Sequence, residues 1–126
     1  MLFRSAKVVR ANGRIDRKHV IDAIHWTAGE KKARVVNLSL GFMGTWKENA
    51  GLRAALEAYP KTMFVVAAGN FGPDTVVYPA GFDLPNILSV GATDKSGAAA
   101  SYSGRGSVYA PGDVRLYSSK KLPPTP

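Results

Sequence analysis

The chain has 126 residues and a mass of 13.4 kDa, the size of one ordinary domain, and a globular chain of this length buries roughly two-thirds of its unfolded surface. With 45% hydrophobic and 21% charged residues its composition excludes a disordered or fibrous chain, and with no cysteine it has no disulfide, thiolate zinc site or cysteine nucleophile, an absence that fits either redox compartment. The formal charge of +8 is local: residues 1–34 hold nine Lys and Arg against Asp16, Asp22 and Glu30.

In chain order, Met1-Leu2-Phe3-Arg4-Ser5 meets a charge before any hydrophobic region of signal-peptide length, and no apolar run nears the roughly 18 residues of a bilayer span. Ala6-Lys7-Val8-Val9 is a short apolar run before the turn pair Asn12-Gly13, which predicts a strand and a loop. Asp16 offers a helix cap, and Val20, Ile21, Ile24 and Ala28 recur at helical spacing, so an amphipathic helix is predicted from Arg17 to about Gly29. Arg34 to Leu40 is rich in β-branched and apolar residues and stops at Gly41, as a buried strand does. A second helix is predicted between Lys47 and Pro60, where Leu52, Ala55, Leu56 and Tyr59 share one face. Met63 to Ala68 is the most hydrophobic strand, ending at Gly69-Asn70. Phe71-Gly72-Pro73-Asp74 then reads as a turn, Tyr78-Pro79-Ala80-Gly81 as an irregular loop, and Ile87 to Ala92 and Val108 to Ala110 as further strands. The Pro-rich segment 117–126 is expected to be extended and mobile.

Continuous apolar strands alternating with helices predict an α/β domain with a mostly parallel sheet and right-handed crossovers. Ligands of such sheets sit beyond the carboxyl ends of the strands. Three strand ends are distinctive: Ser39-Leu40-Gly41, Ala67-Ala68-Gly69-Asn70 and Gly91-Ala92-Thr93-Asp94. Glycine there admits another backbone closely, and the Asn70 amide can donate hydrogen bonds into the same space. By itself, Gly-Asn after a strand is an ordinary turn signal.

Taken together the segments resemble the middle of a subtilisin-like serine peptidase domain (the subtilases, peptidase family S8). Val36 to Gly41 is similar to that family's substrate-flanking strand and Phe64 to Asn70 to the segment carrying its oxyanion asparagine. Tyr78-Pro79-Ala80, Ile87 to Asp94, Ala100-Ser101-Tyr102-Ser103 and Ala110-Pro111-Gly112 follow in register. The resemblance implies a three-layer fold with helices on both sheet faces, here incomplete. It implies that Asn70 donates to the tetrahedral oxyanion, that Ser39, Leu40 and Gly41 pair with an extended peptide, and that Ala67, Ala68 and Gly69 wall the pocket for the side chain before the cut bond. Val77 would lie near that pocket's floor and make it shallow. In the family's topology the aspartate strand lies between the strands resembling Ala6 to Val9 and Val35 to Leu40, so those two are expected to flank a gap here.

The family's triad runs Asp, His, Ser along the chain, and none of its signatures is present. His19 precedes Val20-Ile21 and His25 precedes Trp26-Thr27, neither matching a His-Gly-Thr helix start, and no Gly-Thr-Ser-Met-Ala occurs before Pro126. The resemblance therefore implies that residues 1–126 are a partial peptidase domain, inactive alone, whose partners are an extended peptide or protein substrate and the flanking segments of the same domain. No cofactor and no metal ligand is expected: the family's acidic cation ligand before the Ala-Pro-Gly strand is Ser107 here, and Asp74, Asp83 and Asp94 read as turn residues. Two other readings stay open. One is a non-catalytic relic that binds peptide. The other is a basic nucleic-acid-binding α/β domain, disfavoured because only Phe3 and Trp26 supply aromatics among the N-terminal charges. Subtilases are mostly secreted, and the compartment of this chain is left open.

Overall fold

The computed structural model describes residues 3–113. The expected tail at 117–126 and the serines and basic residues within it lie outside the described residues. The described elements are α1 (Arg17–Ile24), β1 (Val35–Leu38), α2 (Ala50–Glu57), β2 (Met63–Ala67), β3 (Ile87–Thr93) and β4 (Val108–Pro111). All three strand pairings are parallel, in the order β1-β2-β3-β4. Register places Val36 and Leu38 beside Phe64 and Val66, so alternate residues of neighbouring strands share a face.

That face and both helices enclose one core. Val20, Ile24 and Ala28 from the first helical segment, Leu52, Ala55 and Leu56 from α2, and Leu38, Phe64 and Val66 from the sheet pack together. Phe64 and Leu56 are fully buried, each worth about 1.5–3 kcal/mol in transfer from water. The other sheet face carries no helix among the described residues: at the amino ends of their strands Val35 is 63% exposed, Met63 40% and Val108 44%, while Val65, Leu88 and Val90 farther along that face are half-buried. The parallel α/β architecture is as expected, but both described helices lie on one face.

Other local readings change. Residues 6–9 form no strand. Val9 makes only an isolated antiparallel bridge to Ile15 across the Asn12-Gly13 turn, and most of the segment is exposed. A strand needs a laddered neighbour, and no described strand lies beside this one. The helix that follows nonetheless docks through Val20 and Ile24, whereas the segment before it joins no sheet and reaches the core only through the partly buried Val8 and Ile15. Asp16 occupies the cap position but makes no cap hydrogen bond. Its carboxylate pairs with Arg10, and His19 Nδ1 lies 3.7 Å away. The α-helix does not reach Gly29; it ends at Ile24 and widens into a π-helical turn, His25–Glu30. There the Thr27 hydroxyl donates to the Ala23 carbonyl (2.8 Å) and the Lys31 N–H reaches back to the Trp26 carbonyl (2.8 Å), so a side chain competes for the backbone ladder. Helix α2 is better terminated. Thr45 and Glu48 cap the preceding turn reciprocally, and the Asn86 amide donates to the carbonyls of Leu56 (3.0 Å) and Tyr59 (3.1 Å).

Candidate active site at the carboxyl ends of the strands

Ser39-Leu40-Gly41 continues β1 beyond the sheet, and Ala68-Gly69-Asn70 continues β2. They are joined by the loop after Asn70. Phe42 and Tyr78 exchange two backbone hydrogen bonds (2.7 and 2.8 Å) in an antiparallel bridge, which inserts Val77 between the two strand ends. Val77 is 4% exposed. A Cβ on Gly41 would stand 3.5 Å from the Val77 side chain, and one on Gly69 only 2.8 Å from Val77 Cγ2. Gly69 also has φ +97, a conformation that suits glycine. Val77 thus demands glycine at position 69, whereas at Gly41 a Cβ would make only ordinary van der Waals contact with it.

Around this wedge the groups differ in access. Ser39 and Gly41 are exposed and Leu40 half-buried. Among the described residues no N–H of Ser39, Leu40 or Gly41 donates to a backbone carbonyl, so this stretch offers an unpaired edge. Ala67 is half-buried, whereas Ala68 is buried with its carbonyl against Gly104. The Gly104 N–H donates to the Gly69 carbonyl (2.9 Å) and the Ala68 N–H to the Val90 carbonyl (2.9 Å), which fixes the β2 end. Asn70 lies just beyond it, exposed, next to Phe71 at 61% exposure. All eight site residues singled out from the sequence therefore gather at the carboxyl end of β1 and β2.

The histidines lie elsewhere. His25 Nδ1 is 2.7 Å from the Tyr59 hydroxyl, and His19 faces Asp16; neither hydrogen-bonds a serine hydroxyl among the described residues. A groove of about 470 Å³ runs between residues 6–11 and His19, Asp22, Ala23 and Trp26; none of the strand-end residues and no serine or threonine lines it. Three exposed carboxylates sit below their ordinary range: Glu48 through the Thr45 N–H and hydroxyl, Asp94 through the Ser96 hydroxyl and N–H, and Asp22 through Lys18. Among the described residues no three His, Asp or Glu gather, and the Ser107 hydroxyl is bonded to that of Ser89 (3.0 Å). No helix among the described residues is long and apolar enough to cross a membrane.

Sequence reasoning missed the link from α1 to the β1 end. Arg17 Nε donates to Asn49 Oδ1 (2.9 Å) and its terminal nitrogen to the Met43 carbonyl (2.6 Å). No spacing rule joins residues this far apart.

Comparison with known proteins bears on the family and the fold. Residues 4–125 match the family model of the peptidase S8, or subtilase, family. The chain is 39% identical to Alkaline protease 1 of Aspergillus clavatus over 103 residues, which is 74% of this chain and 25% of that protein. It is 34% identical to Subtilisin BL of Lederbergia lenta over 113 residues, 86% of this chain and 40% of that one. Among solved structures it resembles the self-cleaved protease domain of PatA, with a TM-score of 0.68, 30% identity, and coverage of 82% of this chain and 41% of the other. It also resembles the prenylagaramide maturation protease PagA, with a TM-score of 0.66, 26% identity, and coverage of 79% and 38%. The chain thus spans between a quarter and two-fifths of the length of these relatives. Fold, ordered motifs and family match together establish that this chain belongs to the subtilase family.

Proposed function

We propose that this chain is the cleft-bearing part of a serine-type endopeptidase domain, supplying a peptide-binding edge and an oxyanion donor to hydrolysis of a peptide bond. The observation that carries the reading is the meeting of Gly41 and Gly69 on Val77, with an unpaired backbone edge on one side and the exposed Asn70 amide on the other. An extended substrate would add as a strand along Ser39 to Gly41, main chain to main chain. The side chain before the cut bond would enter between that stretch and Ala67 to Gly69. Val77 fills part of this space, so small side chains are preferred and large aromatic ones rejected. Asn70 would donate its amide hydrogens where charge develops on the attacked carbonyl, the arrangement that stabilises a transition state more than a ground state.

The chain alone is expected to be inactive. Triad residues act as a unit, and neither described histidine is poised on a serine. The apolar sheet face that bears no described helix and exposes Val35, Met63 and Val108 favours a domain completed by further segments over a free-standing peptide-binding relic.

The test replaces the matched segment of Subtilisin BL by residues 6–112 and compares this chimera with its Asn70→Leu variant on a peptide anilide. Expected is a kcat loss of about 100- to 1000-fold with little change in KM, the size known for removing the oxyanion asparagine of a subtilisin. An active chimera indifferent to Asn70→Leu would sink the assignment.

A further inference from the structure

We infer that Arg17 is a positioning residue for the peptide-binding edge, an inference that rests on the reading above. The edge Ser39 to Gly41 leaves the sheet at Leu38 and has no ladder of its own. What holds its far end is Phe42, through the two-bond bridge to Tyr78 and through a ring that is 8% exposed. Arg17 sits on that anchor from the other side. Its guanidinium lies 5.0 Å from the Phe42 ring centre, a cation–π distance, and it donates to the very next carbonyl, Met43 (2.6 Å).

Arg17 is in turn fixed by Asn49. That side chain is wholly buried, accepts from Arg17 Nε (2.9 Å) and donates to the Thr45 carbonyl (2.9 Å). Thr45 is closed onto Glu48 by its N–H (2.6 Å) and hydroxyl (3.0 Å). The guanidinium fork therefore spans two acceptors on one loop while stacking on Phe42, a combination the single ammonium of lysine cannot reproduce. Through Phe42 the same clamp reaches Tyr78 and so the placement of Val77 between the two strand ends.

Two variants separate positioning from simple stabilisation. Arg17→Met removes both donors. Thr62→Val removes a buried hydroxyl bond to the Ala33 carbonyl (2.8 Å) at the amino end of β2, far from the edge. The probe is a fluorescein-labelled Gly-Ala-Val-Ala-Ala-Lys peptide, titrated well below either variant's unfolding midpoint. Expected is a 5- to 20-fold weaker Kd for Arg17→Met, a partial recovery in Arg17→Lys, and wild-type affinity for Thr62→Val. Equal affinities for Arg17→Met and Thr62→Val overturn the inference. Should Arg17→Met fail to fold, Arg17→Lys carries the comparison. If the wild-type chain binds no peptide, the proposed function fails, and the clamp is read from amide exchange at Phe42 and Tyr78. Faster exchange there in Arg17→Lys than in Thr62→Val supports it, and equal exchange refutes it.

Discussion

The packing of Val77 against Gly69 can be measured as a coupling energy. Alanine at position 69 has two costs. The backbone, at φ +97, lies where a residue with a Cβ is strained by about 1–3 kcal/mol. The new methyl would stand 2.8 Å from Val77 Cγ2, well inside the roughly 3.5–4.0 Å of a carbon–carbon contact, and such overpacking costs about 1–3 kcal/mol more. Gly69→Ala alone is therefore expected to destabilise by about 2–6 kcal/mol. Val77→Ala removes two methyl groups from a side chain 4% exposed, about 1.5–3 kcal/mol with its cavity. In the double variant the overlap is gone and only the backbone strain remains, so the two changes together should cost about 1–3 kcal/mol less than their sum. Urea unfolding followed by far-UV circular dichroism reads all four corners of the cycle. Additivity within about 0.5 kcal/mol would show that the two residues do not touch, and the wedge between the strand ends would be refuted.

Other outcomes follow from the same geometry. Phe64→Ala, at a fully buried position, should lower unfolding stability by about 3–5 kcal/mol with peptide contact at the strand ends retained in the remaining folded fraction. Asn86→Ala removes the side-chain donor to the Leu56 and Tyr59 carbonyls, which keep the Tyr59 and Thr62 N–H groups, and should cost about 0.5–1.5 kcal/mol for each bond lost, read as a shift in urea midpoint. Glu48 is held below the ordinary glutamate value first by the Thr45 N–H and then by its hydroxyl. A depressed carboxylate stabilises above its unfolded value and loses that contribution as pH falls through its folded value. Acidification from pH 5 to about 3 should thus loosen residues 45–48, seen as a lower protection factor of the Thr45 amide once the slower intrinsic exchange at low pH is divided out, and Glu48→Gln should flatten the response.

The parts of the fold that were legible in the sequence are those with local causes. The run Met63 to Ala67 is apolar throughout and could only be a buried strand, and the Leu52, Ala55, Leu56 face of α2 follows from helical spacing alone. Motif order then named the family, and the eight candidate residues gather at one end of the sheet. Residues 6–9 read as a strand because their composition is that of one, but pairing is a property of the neighbour, and no described strand lies beside them. The π-helical turn escaped notice because Thr27 competes for a carbonyl that spacing assigns to the ladder. The single-faced helix layer was equally hidden: strands apolar on both sides record a need for cover, not whether the cover is present. The Arg17 to Asn49 contact joins residues 32 positions apart and has no local signature at all.

The most direct measurement is an amide-resolved NMR titration of the isotopically labelled chain with the hexapeptide. Concentration-dependent shifts at Ser39, Gly41, Gly69 and Asn70, with residues 7–11 unmoved, are what a substrate edge beside an oxyanion donor requires. Shifts confined to the groove between residues 6–11 and α1, or none at saturating peptide, would contradict it.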